Sequence, residues 1–256
     1  MTQYSDYHGP EGLRVRGTVV VVPGRGETRA TYARFGRRLA ADAYRVRVID
    51  GPGLDGFGDL EAATSAFAAR VAEAVEGTAS EGDVARPVVL VGADSGAAAV
   101  AALAGRTGDT SAGLPDAVVL AGLPARAADT VGTWDDELTV RTSCPAHRGV
   151  LTEDPEVRRG ALHDAVPDAL LTDLNDGEVD VPVLLLVGDT DPLADHEALA
   201  RTAKSLPRAR LSAVHGAHHD VLNDLQHRSA AAEVVTFLET LRNDLSPVVT
   251  VRSSAW

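Results

Sequence analysis

The chain has 256 residues, 45% of them hydrophobic, which suits one substantial core and predicts a single domain over 1–256. A formal net charge of −13 and a lone lysine, Lys204, argue against a nucleic-acid partner, since phosphate-backbone binding rests on clustered cationic side chains. Cys144 stands alone, so no intrachain disulfide can form, and the first dozen residues lack the basic-then-apolar pattern of a secretory signal. With no apolar run near the roughly 20 residues needed to cross a bilayer, the expectation is a cytoplasmic protein without membrane insertion; the acidic surface leaves oligomeric state open.

Along the chain, short apolar runs alternate with longer amphipathic ones. TVVVVPG at 18–24, YRVRVID at 44–50, PVVLVGA at 87–93, AVVLAG at 117–122 and VPVLLLVG at 181–188 read as buried parallel strands. The segments 28–42, 60–80, 96–105, 192–205 and 228–242 have the length and alanine content of helices. Repeated β-α-β alternation predicts a doubly wound, mostly parallel α/β sheet with ligands at the carboxyl ends of its strands. The rhythm breaks at 124–180, a polar stretch expected to be an inserted cap, and SPVVTVRSSAW at 246–256 is expected to be a tail or an edge strand.

Chemistry concentrates after three of the strands. PVVLV runs into Gly92-Ala93-Asp94-Ser95-Gly96 and then an alanine-rich helix, the strand, sharp turn and helix of a nucleophile elbow. Close strand-helix packing leaves no room for side chains two positions before and after the nucleophile, so Gly92 and Gly96 select Asp94; a Ser95 frame would put Ala93 and Ala97 there. After VPVLLLV comes Gly188-Asp189-Thr190-Asp191-Pro192, and RLSAVHGAHHDVLND follows with His218 and His219. The order of elbow, acid and histidine is that of an α/β-hydrolase triad, with Asp191 set to orient His219 and stabilise its imidazolium.

With these motifs, PGRGETRATY at 23–32 resembles the oxyanion loop of the monoacylglycerol lipase and lysophospholipase branch of the α/β-hydrolases, with Pro23 at the usual histidine position. The resemblance covers most of the chain apart from the expected cap. It implies an oxyanion hole made by the backbone N–H groups of Arg25 and Ser95, selects His219 as the histidine three residues after Gly216, and favours Asp191 by its GxxDP spacing. Aspartate at the elbow is similar instead to epoxide hydrolases and haloalkane dehalogenases, in which histidine activates water to hydrolyse an alkyl-enzyme ester. That pattern is incomplete: tyrosines occur only at 4, 7, 32 and 44, outside the expected cap, and Ser95 stands where a dehalogenase carries tryptophan. Trp134, His147 and Arg148 are the candidate cap contacts to a leaving group.

The leading expectation is a cofactor-independent hydrolase of a small or medium organic molecule, epoxide hydrolase-like, with catalytic Asp94, Asp191 and His219. Three alternatives stay open: an esterase using Ser95, a non-hydrolytic cyclisation or elimination with Asp94 as general base, and a small-molecule binder without turnover. Two other motifs are weighed and set aside. Gly51-Pro52-Gly53-Leu54-Asp55-Gly56 matches a dinucleotide fingerprint but is followed by more loop before its helix, so no helix N-terminus meets a pyrophosphate. His215, His218, His219 and Asp220 crowd one loop without fixing a convergent metal geometry, and no metal is expected.

Overall fold

The computed structural model describes residues 4–53, 60–80, 83–106, 115–125 and 132–254. Seven strands form one sheet: β1 (Ser5–Tyr7), β2 (Thr18–Val22), β3 (Arg45–Val48), β4 (Val88–Ala93), β5 (Ala117–Ala121), β6 (Val183–Gly188) and β7 (Ala209–Val214), in the order β1-β3-β2-β4-β5-β6-β7. All neighbours are parallel except β1, which runs antiparallel to β3. This is the doubly wound α/β arrangement expected from the apolar runs. β1, SDY, is too short and polar to show in a periodicity reading and is held by its register with Val46–Val48.

The helices are α1 (Ala33–Ala41), α2 (Leu60–Glu76), α3 (Ser95–Gly105), α4 (Trp134–Arg141), α5 (Pro145–Glu153), α6 (Thr172–Asn175), α7 (His196–Ser205) and α8 (His227–Leu241). The strands are apolar on both faces because both are covered. Val19 and Val21 point to the side packed by Phe35 and Leu39 of α1 and Val234 and Leu238 of α8. Val20 and Val22 point to the other, against Phe67 and Val71 of α2, Val100 of α3 and Leu199 of α7. The helix expected over 28–42 splits, since Arg29–Tyr32 forms a 3-10 turn before α1 begins.

The expected cap at 124–180 falls within the connection between β5 and β6, whose described part carries α4, α5, α6 and two 3-10 turns at Ala161–His163 and Asp168–Leu171. Thr133 caps α4, accepting from the Asp136 N–H while Asp136 reaches back to the Thr133 N–H. The C-terminal segment forms no strand among its described residues, and Leu54, Asp55 and Gly56 of the glycine motif lie outside them. Among the described residues no helix is long and apolar enough to cross a membrane.

Candidate active site

The chain turns tightly between β4 and α3, where Asp94 has φ 48° and ψ −120°. A non-glycine residue rarely adopts positive φ, and here the packing enforces it. A Cβ on Gly92 would lie 2.4 Å from the Gly96 carbonyl oxygen, and one on Gly96 would lie 2.5 Å from the carbonyl oxygens of Val22 and Pro23. Neither Gly92 nor Gly96, two positions either side of Asp94, has room for a side chain. A Cβ on Gly24 would lie 2.7 Å from the Asp94 Cβ, so glycine there is what lets the loop after β2 close over the turn.

Three residues from distant parts of the chain meet at this turn. Asp94 Oδ1 lies 3.1 Å from His219 Nε2, and His219 Nδ1 lies 2.9 Å from Asp191 Oδ2. Asp191 is itself fixed by the Leu193 N–H, which donates to its Oδ1 at 2.8 Å. Two neighbouring acids are engaged elsewhere: Asp189 with His215 and the Gly216 N–H, Asp195 with the Ala198 N–H at the start of α7. His218 pairs with Asp224, leaving His219 alone in the line.

The side chain of Arg25 is the feature the sequence reading left out; only its backbone N–H was assigned a role. That N–H donates to Asp94 Oδ2 at 2.7 Å and is thus engaged by the elbow's own carboxylate. The guanidinium lies on the same carboxylate, with Nε 2.8 Å from Oδ2 and Nη2 2.7 Å from Oδ1. Its third nitrogen, Nη1, donates to the carbonyl oxygens of Leu162 and Asp164, tying the β5–β6 connection to the elbow. Ser95 begins α3 and is buried.

This arrangement fixes protonation. Burial alone would raise the Asp94 carboxyl, but the Arg25 charge and the hydrogen bonds from His219 and Arg25 outweigh it and hold the group well below the usual carboxylate range. Burial would likewise lower His219, but the charge of Asp191 and its hydrogen bond, reinforced by Asp94, push the imidazole up to about 10. Both shifts favour the charged forms, a carboxylate at Asp94 and an imidazolium at His219.

Below it lies a charged floor built mostly from the β5–β6 connection. Arg141 is 1% exposed; its Nε and Nη2 donate to Glu137 Oε1 at 3.1 and 2.9 Å, Nη2 also donates to the Arg25 carbonyl at 2.7 Å, and Nη1 lies 3.5 Å from Asp220 Oδ1. Asp220 Oδ2 lies 2.8 Å from His147 Nε2. Glu27 Oε2 accepts from the Gly24 N–H at 2.9 Å and from the Tyr32 hydroxyl, bracing the loop that carries Arg25. Burial, then repulsion from Asp220, pushes the Glu27 carboxyl up to about 7. Glu27, His147 and Asp220 bring ligand-type atoms within 4.8 Å of one another, two of them already engaged in the His147–Asp220 bond with Arg141 Nη1 3.5 Å from Asp220.

Beside the elbow is a cavity of about 360 Å³, lined by Gly24, Arg25, Gly26, Ser95, Arg158 and Val166 among others. Ser95 and Arg25 face it, whereas Asp94 lies behind Arg25 with only about 10 Å³ of space on its inner side. None of the three expected cap contacts lines this cavity. Trp134 Nε1 donates to Thr152 Oγ1 with the Arg159 guanidinium 5.1 Å from its ring, His147 is buried against Asp220, and Arg148 donates to the Thr142 carbonyl and to Thr139 Oγ1.

Comparison with known proteins bears on the fold. The fold matches a monoacylglycerol lipase of Paleococcus ferrophilus with TM-score 0.70 and 20% identity, over 94% of this chain and 99% of that one. It matches a soluble variant of monoglyceride lipase from Saccharomyces cerevisiae with TM-score 0.71 and 16% identity, over 93% and 91%. A lipase-esterase related protein from Clostridium acetobutylicum aligns with TM-score 0.67 and 17% identity, over 93% and 99%. At these identities the likeness speaks for the fold alone, and no curated protein matches the chain. The model of the family described as serine aminopeptidase, S33, matches residues 14–226. The chain belongs to that family and is an α/β-hydrolase-fold hydrolase.

Proposed function

We propose that this hydrolase attacks an electrophilic sp³ carbon with Asp94, forming an alkyl-enzyme ester that water then cleaves, in the manner of an epoxide hydrolase. The observation that carries the reading is the line Asp94–His219–Asp191, with separations of 3.1 and 2.9 Å, at an elbow where Gly92 and Gly96 stand two positions either side of Asp94. A carboxylate attacking a carboxylic ester would give an anhydride, a poor intermediate, while attack on an epoxide carbon gives an ordinary ester. Forming that ester neutralises Asp94, one of the two carboxylates holding the proton on His219. The imidazole then releases its proton to the solvent more readily and, once neutral, can take one from the attacking water. Trp134 is committed to Thr152 and offers no indole N–H to the cavity, which favours an epoxide over an alkyl halide as the electrophile.

The test is intact-protein mass spectrometry of His219→Gln after exposure to mixed epoxides, alkyl halides and activated esters, followed by peptide mapping. A stable adduct on Asp94 is expected. An adduct on Ser95 would instead support an esterase, the second reading, favoured by the fact that Ser95 lines the cavity while Asp94 does not. No adduct from any class would favour general-base chemistry or ligand binding without turnover.

A further inference from the structure

We propose that Arg25 sets substrate class at this site, admitting electrophiles that carry a carboxylate next to the reacting carbon. The proposal rests on Asp94 as the nucleophile. Both oxygens of Asp94 are taken: Oδ1 by Arg25 Nη2 at 2.7 Å and His219 Nε2 at 3.1 Å, Oδ2 by the Arg25 N–H at 2.7 Å and Nε at 2.8 Å. Arg25 is 5% exposed and forms part of the cavity wall, and Asp94 does not line that cavity. A molecule entering the cavity therefore reaches the nucleophile only by drawing the guanidinium off it.

What it offers in exchange decides whether it can. A neutral electrophile would separate a buried ion pair and supply no replacement, a loss that would slow attack by roughly 10²–10³-fold. A carboxylate matches the flat fork of the guanidinium as Asp94 does, so the charge-assisted bonds are exchanged rather than lost. Arg25 touches Asp94 at 2.7–2.8 Å, so a carboxylate gripped by the displaced fork would stand within a bond or two of the carbon that Asp94 attacks. The fitting class is a 2,3-epoxycarboxylate. The bond from an Asp94 oxygen to carbon forms as the ring C–O bond breaks; the electron pair goes to the ring oxygen, which takes a proton from water. Hydrolysis of the ester releases a dihydroxy acid and restores the Asp94 carboxylate.

Two measurements test this. The first is reversible binding of an unreactive short carboxylate and its primary amide to the wild-type protein, followed by NMR of the Arg25 Nε–H. The Arg25 resonance is expected to move with the carboxylate and not with the amide; an equal response, or none, would overturn the proposal. The second compares the rate of Asp94 labelling by a 2,3-epoxycarboxylate and its primary amide in His219→Gln, with and without Arg25→Met. The carboxylate is expected to react at least 100-fold faster, and Arg25→Met to abolish the preference. A preference that survives Arg25→Met would overturn the role of Arg25. Arg25-dependent binding of carboxylates without any labelling of Asp94 would overturn the nucleophile reading while sustaining the anion selectivity.

Discussion

Val21 in the sheet and Arg141 beneath the elbow are buried equally, at 0% and 1% exposure, among opposite neighbours. Val21 is surrounded by side chains of its own kind, Val19, Val48, Val91 and Leu39 among them, each interchangeable with a residue of similar volume. Arg141 is surrounded by Glu137, Asp220 and the Arg25 carbonyl, and removing its charge would leave two buried carboxylates without their cation. The sheet supplies position, and the charged floor supplies specificity: it holds the Arg25 loop against Asp94 and the β5–β6 connection against both. A site assembled this way should tolerate volume-conserving change among the apolar side chains of its sheet and fail sharply when one charge is removed.

The largest effects should come from single charges at the elbow. Asp94→Asn and Arg25→Met should each lower unfolding free energy by about 3–5 kcal/mol, as expected for one member of a buried pair. The double variant should lose less than the sum, a coupling readable by urea denaturation of all four proteins. Arg141→Met should cost a similar amount, because it strands Glu137 and Asp220 together.

Next come the glycines, where the scaffold too is intolerant. Gly96→Ala places a methyl 2.5 Å from two backbone carbonyl oxygens and should destabilise by about 2–4 kcal/mol in thermal unfolding. Smaller again is Glu27. Its folded-state value of about 7 lies above its ordinary 4.5, so the folded form holds a proton that the unfolded form releases, and stability declines as pH rises between those values. Glu27→Gln should flatten that decline, by on the order of 1–3 kcal/mol, in stability measured from pH 4.5 to 8. At the low end, Arg86→Ala removes an ion pair whose members are 61% and 36% exposed, and should change stability by less than about 1 kcal/mol.

The same contrast explains what could be read from the sequence. Strand runs such as TVVVV and VVLVGA announce themselves because a doubly covered sheet needs continuous apolar residues, and Gly92 and Gly96 mark the elbow because their spacing is local. Asp191 and His219 follow from the turns after β6 and β7. The charged floor has no such signature. Glu27, Glu137, Arg141 and Asp220 are spread over 194 positions, no local spacing links them, and they meet only once the β5–β6 connection has folded over the sheet. Arg25 was visible as a charged residue in a loop; what was not visible is that the glycine before it lets its side chain turn inward onto Asp94. Trp134, His147 and Arg148 stand on the other side of the same limit, since a polar segment near a site does not reveal which of its side chains face it.

The most direct test of Asp94 as nucleophile is oxygen exchange. Wild-type protein turning over the electrophile identified by trapping, in water enriched in oxygen-18, should acquire the label in the Asp94 carboxylate, because hydrolysis of an alkyl-enzyme ester adds a solvent oxygen to its carbonyl carbon. Peptide mapping should find the mass gain on the segment containing Asp94, and first-turnover product should carry an unlabelled oxygen from the protein. Label in the product from the first turnover, with none in Asp94, would show that water attacks the substrate directly and would contradict the account.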